Sequence, residues 1–333
     1  MTSLLSFSRL LVSSVLCVSA TCALANTYAT HPQAEKFIQA ITQKHGLDES
    51  LVRDTLAQAT MQPAVIKAIL PPADPKVKSW KNYRARFLDD LRIKKGLEFW
   101  REHAITIALA SEKYGVPEEI IVAIIGVETI YGRMTGSFQT VSALATLAFD
   151  YPPRSPLFTS ELEELFLLAR DQGTSPLAYN GSFAGALGLP QFMPSSYRRF
   201  AVDFDGDGKV DLMNSPADAI GSVANFLHEH GWEKGGTVAI KVKSASGDLQ
   251  KLADSIDPVL SVEDIEPYQI KPESGVPAGS KFAVIDLVTP DRPTEYWLGF
   301  QNFYTITRYN RSSFYAMSVF HLAQTLKSQR LGR

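Results

Sequence analysis

Apolar residues recur at three- and four-residue spacing through the first third of the chain, which is the pattern of amphipathic helices. The pattern runs through QAEKFIQAITQKHG, ESLVRDTLAQAT and LRIKKGLEFWREHAITIALASEKYG, with stops at Gly46 and Gly115. Pro117, followed by Glu118 and Glu119, predicts the start of a further helix, because proline suits a first turn and carboxylates suit its positive end. Two more helical runs follow, TVSALATLAFDY and TSELEELFLLARDQG. The ELEEL segment of the second run is predicted to face solvent.

The pattern changes after Gly235 and Gly236. Alternating apolar and β-branched residues predict strands in TVAIKVKS, FAVIDLVT and YWLGFQNFYTITRY, and SSFYAMSVFHLAQTLKSQ then returns to a helical pattern. The sequence therefore predicts an α+β protein that is mainly helical and carries a small antiparallel β-domain. The predicted division is a leader at 1–25, a helical domain at 26–115, a core at 116–235, the β-domain at 236–300 and a closing helix at 301–333.

The first 25 residues have the features of a cleaved signal peptide. Arg9 precedes an apolar stretch, and Ala23 and Ala25 frame an A-x-A cleavage site. Export to the periplasm is the prediction, with an uncleaved anchor as the alternative. Cys17 and Cys22 both lie inside the leader, so cleavage leaves no thiol for disulfides, nucleophilic catalysis or metal binding. A lipid-modified, outer-membrane form stays open, although the residues before each cysteine fit a lipoprotein signal poorly.

Composition excludes one class of partner. The chain has 333 residues, 45% of them hydrophobic, which is enough for a sizeable core and more than one domain. Its formal net charge is −2, and it has no run of lysines or arginines. A protein without a basic surface lacks the electrostatic footprint of nucleic-acid binding, so no nucleic-acid partner is expected.

The run DFDGDGKVDLMN matches the first nine positions of an EF-hand calcium loop. Carboxylates at alternate positions, a glycine turn and a backbone carbonyl supply the oxygen ligands that a hard divalent cation prefers. Position twelve is Asn214, where a bidentate glutamate is usual. Either Asp218 on the following helix completes the site, or the site is weak or empty; a solvated Asp/Gly turn is the further alternative. The candidate ligands are Asp203, Asp205, Asp207, Lys209 through its carbonyl, Asp211 and Asp218.

A single acidic residue, Glu128, interrupts the apolar run AIIGVETIYGRMTG at residues 123–136. Burying an unpaired carboxylate is costly and raises its pKa, so that the group stays protonated near neutral pH. A protonated carboxyl in a cleft is suited to general acid catalysis. Glu128 is therefore a candidate catalytic acid, and a helix-surface glutamate is the alternative.

A glycine-rich passage, GALGLPQFMPSSY, is the third candidate. Its small residues allow a backbone to approach a ligand closely, and Gln191 with Phe192 offers an amide and an aromatic ring to a polar, ring-shaped ligand. The alternative is a glycine-rich packing loop.

Five runs, in this order, resemble the membrane-bound lytic murein transglycosylase B family of bacteria. They are GVETIYGRMTG, GALGLPQFMPSSY, DFDGDG, DAIGSVANFLHEHGW and NFYTITRYNRSSFYAMSVFHLAQTL, and the resemblance extends from about residue 75 to the C-terminus. It implies a lysozyme-like catalytic core with a helical α-domain and a small β-domain. It also implies non-hydrolytic cleavage of the β-1,4 bond between N-acetylmuramic acid and N-acetylglucosamine in peptidoglycan, which leaves a 1,6-anhydromuramic end. No organic cofactor is implied.

The resemblance also implies roles for individual residues. Glu128 corresponds to the single catalytic acid and base, so no second carboxylate is required, an exception among glycosidases. Arg154 corresponds to one basic residue of a peptide-binding edge, whereas Pro153 stands where a second arginine is expected. Asp218 corresponds to the distal ligand of a structural calcium ion. The residues implied in sugar binding are Tyr83, Ser182, Gln191, Tyr309, Asn310 and Tyr315.

Two other functions stay open at this point. A muramidase of the same fold would use water as the nucleophile, and no residue of this sequence separates the two reactions. A catalytically inactive protein would use the groove only to bind peptidoglycan. The expected partner in each case is the glycan strand, with other cell-wall enzymes as open candidates.

Overall fold

The structure is a computed structural model that describes residues 27–71 and 78–332. The predicted leader with its two cysteines lies outside the described residues. No helix within the described ranges combines the length and apolarity needed to cross a bilayer.

Three short helices lie at the start of the described chain, and the first two begin or end at a recognisable capping residue. They are α1 (Pro32–His45), α2 (Glu49–Gln58) and α3 (Pro63–Ile69). The Asp48 side chain accepts a hydrogen bond from the backbone N–H of Ser50 and so caps α2. Gly46 ends α1 in the left-handed conformation, with φ at 63°, as its position after the last apolar residue predicts. Tyr28 ties this part of the chain to the core through a hydrogen bond to Asp150.

The central part of the chain is helical, apart from one two-stranded ribbon. It contains α4 (Trp80–Ala85), α5 (Asp90–Glu102), α6 (Ala104–Tyr114), α7 (Glu118–Thr129), β1 (Phe138–Gln139), α8 (Thr140–Phe149), α9 (Ser155–Asp171), β2 (Asn180–Gly181), α10 (Pro194–Phe200) and α11 (Pro216–Glu229). Ten of the twelve residues of α7 are buried, because helices on several sides pack against it. Glu128 is the next-to-last residue of this central helix, so an almost wholly buried segment of the core carries it.

A four-stranded antiparallel sheet follows. Its strands are β3 (Ala239–Ser244), β4 (Lys271–Pro272), β5 (Ala283–Leu287) and β6 (Glu295–Gly299), in the order β4-β3-β6-β5, and α12 (Val262–Ile265) lies between β3 and β4 in sequence. Side chains along β5 alternate between two cores. Ile285 and Leu287 join the main helical core, whereas Val284 packs with Phe282 and Leu298 in a smaller core on the other face.

The chain closes with two helices, α13 (Gln301–Thr307) and α14 (Ser313–Arg330). The α14 helix packs along α7, α5 and α13, and it also contacts α4 and β5. It therefore links the β-rich part to the helix that carries Glu128. The α+β prediction, with a mainly helical body and small antiparallel sheets, is confirmed. The boundaries of the five predicted segments stay a prediction.

Two local predictions are wrong. The strand expected through YWLGFQNFYTITRY ends at Gly299, and its second half forms α13, in which Phe303 and Ile306 recur at helical spacing and are buried. The ELEEL segment does not lie wholly in solvent, because Glu161 is buried. Its carboxylate accepts hydrogen bonds from the backbone N–H of Ser195 at 3.0 Å and from the Ser195 hydroxyl at 2.7 Å, at the start of α10. A buried acceptor that stabilises a neighbouring helix N-terminus offsets the cost of burying this carboxylate.

Candidate active site

Glu128 lies where α7 meets α14. The hydroxyl of Tyr315 donates a hydrogen bond to Oε1 of Glu128 at 2.5 Å. Oε2 has no hydrogen-bond partner within residues 27–71 and 78–332. Burial raises the pKa of Glu128 from 4.5 to about 7, although the hydrogen bond from Tyr315 opposes this shift. Near neutral pH, the carboxyl is therefore able both to donate and to accept a proton.

Three tyrosines surround this carboxyl. Tyr309 and Tyr315 stack with their ring centroids 6.4 Å apart, and the Tyr309 hydroxyl donates to the carbonyl of Pro190 at 2.6 Å. Burial raises the pKa of Tyr309 and Tyr315 well above the usual value, and the charge of Glu128 adds to the effect in both. The pKa of Tyr83, on α4, is also raised by burial and then by Glu128. Tyr83 is far from Tyr309 and Tyr315 in sequence, whereas the fold gathers all three rings around one acid.

The backbone after Glu128 has an unusual conformation. Ile130 and Tyr131 both adopt positive φ angles, 51° and 58°, in the left-handed region that β-branched and aromatic residues rarely enter. The Tyr131 ring occupies a slot that requires glycine on two helices, since a Cβ at Gly96 or Gly126 would lie 2.3 Å from its hydroxyl. The turn that directs the chain away from Glu128 is therefore held by packing around a single aromatic ring.

Sequence reasoning missed two residues that position Glu128. The Thr129 hydroxyl donates to the carbonyl of Leu189 at 2.9 Å and accepts from the N–H of Gly132 at 2.9 Å, which joins the end of α7 to the glycine-rich passage. Buried Arg92 donates through Nε to the carbonyl of Gly126 at 2.8 Å. The signal for Thr129 was its place next to Glu128 at a helix end, where hydroxyls satisfy free backbone groups. Nothing in the sequence marks Arg92.

An open groove of about 450 Å³ lies beside the turn, and Ser182 and Gln191 line it together with residues of the segment 133–138. Both N–H groups of the Gln191 amide are engaged, with the carbonyls of Thr135 at 3.0 Å and Gly188 at 2.9 Å. Its carbonyl oxygen has no protein donor within the described residues and is free to accept from a ligand. The Ser182 hydroxyl accepts from the N–H of Ala186 at 3.0 Å and keeps its own proton to donate.

The groove wall depends on two glycines that bring β1 and β2 together. Gly136 has a φ of 93°, and a Cβ there would lie 2.1 Å from the carbonyl oxygen of Gly181. A Cβ at Gly181 would in turn lie 2.3 Å from the carbonyl oxygen of Ala186. The close approach of three backbone segments is therefore possible only with glycine at both positions.

The remaining substrate-binding predictions fall at exposed positions. Arg154 ends a 3₁₀ turn, Pro152–Arg154, and its guanidinium lies over the ring of Phe158, 5.3 Å from the centroid. It does not line the groove at Ser182 and Gln191. Asn310 is exposed in the turn between α13 and α14. Its backbone carbonyl accepts from the backbone N–H of Ser312 at 2.7 Å. Its position in this turn, next to Tyr309, places it at the rim of the site.

The acidic loop brings three of its six predicted ligands together. One carboxylate oxygen from each of Asp203, Asp205 and Asp218 lies within 4.8 Å of the others. The Asp203 carboxylate also accepts from the N–H groups of Gly206 and Gly208, at 2.7 and 2.9 Å, which folds the loop into a tight turn. Burial raises the pKa of Asp218, and the charges of Asp205 and Asp203 raise it further.

The other three predicted ligands make different contacts. Asp211 accepts from the N–H groups of Met213 and Asn214 at 2.9 Å, and Asp207 accepts from the N–H of Lys209 at 2.8 Å. Their part in metal binding stays a prediction. Asp218 is held in place by hydrogen bonds from the N–H groups of Phe204 and Asp211, so both ends of the loop meet at one buried carboxylate.

With this geometry in place, similarity to known proteins decides the family. The sequence matches the Transglycosylase SLT domain family over residues 29–324. The membrane-bound lytic murein transglycosylase B of Escherichia coli (strain K12) is 40% identical over 319 residues, which cover 92% of this chain and 86% of that protein. The chain belongs to the lytic murein transglycosylase B family. The prediction from its five sequence runs is thereby confirmed.

Solved structures of family members share this fold. The lytic transglycosylase Slt35 of Escherichia coli in complex with calcium has a TM-score of 0.83 and 39% identity, over 92% of this chain and 96% of that one. SltB3 of Pseudomonas aeruginosa in complex with NAG-NAM-pentapeptide has a TM-score of 0.76 and 28% identity, over 88% and 79% of the two chains. The prediction of a lysozyme-like fold is confirmed.

Proposed function

We propose that Glu128 of this peptidoglycan lytic transglycosylase acts first as acid and then as base. The observation that carries the proposal is a carboxyl at the end of a buried helix, with a pKa raised to about 7 by desolvation and a single hydrogen bond from Tyr315. Family membership supplies the substrate, murein, which the Escherichia coli relative is named for. The complex of SltB3 with NAG-NAM-pentapeptide supports a substrate that carries both sugars and a peptide.

The first step requires the protonated form of Glu128. Its carboxyl donates a proton to the glycosidic oxygen between N-acetylmuramic acid and N-acetylglucosamine, and the C1–O bond breaks as the leaving sugar takes up the electron pair. Oε2 is the oxygen suited to this transfer, since Oε1 is occupied by Tyr315. Positive charge that develops at C1 is stabilised by the 2-acetamido group of the substrate.

The second step uses the carboxylate that the first step leaves. Glu128 removes the proton from the C6 hydroxyl of the same muramic acid, and O6 attacks C1 to form the 1,6-anhydro ring. One residue thus carries out both proton transfers, and the catalyst returns to its starting state. No second acidic side chain within the described residues contributes to the pKa shift of Glu128, in agreement with a mechanism that uses a single carboxyl.

The aromatic and amide groups near Glu128 fit a glycan strand. Tyr83, Tyr309 and Tyr315 provide ring surfaces next to the acid, and Ser182 and Gln191 provide one free donor and one free acceptor in the adjacent groove. Sugar rings pack on aromatic faces, and acetamido and hydroxyl groups pair with amides and hydroxyls. Asn310 would meet the strand at the rim, and Arg154, which does not line the groove, would contact a peptide outside it.

The acidic loop fits a structural calcium ion. Three carboxylate oxygens that converge without a basic partner in the described chain repel one another, and a hard divalent cation relieves that repulsion. The calcium complex of Slt35 supports the identity of the metal. Asp203, Asp205 and Asp218 would hold the ion, which would fix the start of α11 relative to the loop. The reaction itself uses no group of this loop.

The leader at residues 1–25 would direct the protein to the periplasm, where its substrate lies. The name of the Escherichia coli relative, which describes it as membrane-bound, keeps a lipid-anchored form among the alternatives.

The experiment that tests the activity compares wild-type protein with Glu128→Gln on purified peptidoglycan. Released muropeptides are identified by mass spectrometry. Products lighter than hydrolysis products by one water, absent with the variant, are the expected result. Products with free reducing ends would instead identify a muramidase, and no release by the wild-type protein would identify a binding protein.

A further inference from the structure

A second cavity, of about 510 Å³, lies between the sheet and two helices of the body. Its walls come from α4, α14, β3, β6, the loop between β5 and β6, and Glu273 directly after β4. The backbone N–H of Trp80 donates to the backbone carbonyl of Val288 at 2.8 Å, and the backbone N–H of Lys81 donates to the hydroxyl of Thr289 at 3.2 Å. These bonds hold the loop after β5 against α4, so the cavity is built into the junction between the helical body and the sheet.

The cavity has an excess of positive charge. The charged side chains that line it are Lys81, Arg84, Lys241, Arg292, Glu273 and Glu295. None of these six forms an ion pair within residues 27–71 and 78–332, in contrast to pairs such as Arg198 with Glu164. The cavity thus offers four cations and two carboxylates that do not pair with one another. Such a lining is complementary to a ligand with several carboxylates and an ammonium group.

Aromatic side chains give the cavity an apolar wall. The rings of Trp80 and Trp297 both pack against the His321 ring, with centroids 5.6 and 5.4 Å from it. Arg84 Nε donates to His321 Nδ1 at 3.0 Å, so the imidazole is neutral and carries its proton on Nε2. Burial lowers the pKa of His321 to about 4, and the charges of Arg84 and Lys241 act in the same direction. His321 therefore adds a neutral donor, and no further charge, to the cavity lining.

The cavity shares two helices with the candidate active site. Arg84 follows Tyr83 directly on α4, and His321 lies six residues after Tyr315 on α14, about 9 Å along the helix axis. Two of the three tyrosines around Glu128 thus sit on the same helices as the walls of this cavity. The cavity and the candidate active site are thus connected through α4 and α14.

We propose that this cavity binds the peptide stem of peptidoglycan, through its carboxylates and its free amine. The ligand assignment rests on the proposed function, since a murein substrate brings such a zwitterionic peptide to this protein. Lys241 and Arg292 would pair with the carboxylates, Glu273 or Glu295 would pair with the ammonium group, and Trp297 would cover the aliphatic part of the peptide. This site is distinct from the outer edge at Arg154.

Isothermal titration of the wild-type protein with a synthetic pentapeptide stem tests the proposal. Lys241→Gln/Arg292→Gln removes two of the unpaired cations. Lys36→Gln/Lys251→Gln removes the same charge from two exposed positions elsewhere and serves as the control. The expected result is saturable binding that weakens about tenfold in the first variant and stays unchanged in the control. Amidation of the peptide carboxylates should abolish binding.

Three outcomes would overturn the proposal. They are the absence of saturable binding, equal weakening in both double variants, and displacement of the peptide by inorganic phosphate at the same concentration, which would mean a general anion site. The stem contains no glycosidic bond, so these results do not depend on Glu128 or on the reaction catalysed. On glycan strands, the Lys241→Gln/Arg292→Gln variant should raise KM several-fold for peptide-bearing substrate and leave turnover of peptide-free glycan unchanged.

Discussion

Tyr315 and Glu128 are 187 positions apart in sequence and joined by a hydrogen bond of 2.5 Å. The bond matters because the two influences on the carboxyl oppose each other. Desolvation favours the protonated acid, while a hydroxyl donor favours the carboxylate. A residue that must serve as acid and then as base benefits from both influences, since together they keep its pKa near the working pH.

The pH dependence of turnover should therefore report on this pair. Because the first step needs protonated Glu128, activity of the wild-type protein should fall as pH rises through about 7. Tyr315→Phe removes the donor that stabilises the carboxylate, so the pKa of Glu128 should rise by roughly one unit. The alkaline limb of the profile of kcat against pH should then move to higher pH, with a fall in maximal kcat of about tenfold.

Tyr268→Phe, a half-buried tyrosine of the β-rich part, is the matched control. Its profile should coincide with that of the wild-type protein. An unchanged alkaline limb in Tyr315→Phe would show that the hydroxyl does not control the acid.

Burial of Glu128 should also cost stability at neutral and alkaline pH. Its folded-state pKa lies above the unfolded value of 4.5, so its ionisation penalises only the folded protein. The penalty is absent below pH 4.5, grows as pH rises and is complete above about 7. A shift from 4.5 to about 7 corresponds to roughly 3 kcal/mol. Glu128→Gln, which keeps an acceptor for Tyr315, should therefore be more stable than the wild-type protein at pH 8.

Thermal melts at pH 4.5, 6 and 8 provide the measurement. The gain in Tm from Glu128→Gln should be a few degrees at pH 8 and should disappear towards pH 4.5. Glu229→Gln, at an exposed position of α11, controls for the loss of one negative charge. A gain of equal size at all three values of pH would contradict a penalty that arises from ionisation.

The groove beside Glu128 should be sensitive to a single methyl group at Gly136. In Gly136→Ala, the new Cβ would lie 2.1 Å from the carbonyl oxygen of Gly181, so β1 and β2 must separate. Gly173→Ala is the control, because Gly173 has a similar left-handed backbone, with φ at 62°, and no atom lies within 4 Å of its added Cβ. Strain alone should cost the control about 1 kcal/mol, and the clash should cost Gly136→Ala at least about 1–3 kcal/mol more.

Urea unfolding gives the two free energies of unfolding, and glycan binding gives the functional consequence. Affinity for a glycan fragment should fall in Gly136→Ala and not in Gly173→Ala. Equal destabilisation of the two variants would mean that the contact between Gly136 and Gly181 is not required.

The sequence predicted most helices because their apolar faces and their ends are local features. Gly46, Gly115 and the Pro117 start are each visible within a few residues, and each lies at a helix boundary in the structure. It failed in YWLGFQNFYTITRY, because a run rich in aromatic and β-branched residues satisfies a strand pattern even where burial follows helical spacing. Glu161 was misjudged for a related reason, since its partner Ser195 lies 34 residues away.

The acid was recognisable from its apolar surroundings, but its environment was not. Tyr315, Tyr309 and Tyr83 approach Glu128 only after α14 packs on α7 and α4 packs on α14, and no local pattern encodes that packing. The cavity between the sheet and α4 was even less predictable from the sequence, since Arg84, Lys241 and His321 come from three separate elements. Residues that meet only through tertiary contacts leave no signal in a single sequence.

Calcium should stabilise the folded protein through the acidic loop. An ion that binds only the folded state adds about 2.7 kcal/mol to the free energy of unfolding when its concentration is one hundred times Kd, which corresponds to a rise in Tm of about 5 °C.

Asp205→Asn removes one charge of the converging group and retains an oxygen that can accept from the Ser215 hydroxyl, 3.0 Å away in the wild-type protein. The variant should lose most of the calcium-dependent rise, while Asp254→Asn, at an exposed site outside the loop, should keep it. Scanning calorimetry in calcium and in chelator provides the comparison, and turnover at 25 °C should change little because no loop residue contacts Glu128. A wild-type Tm that is the same in both buffers would mean that the three carboxylates form a solvated turn.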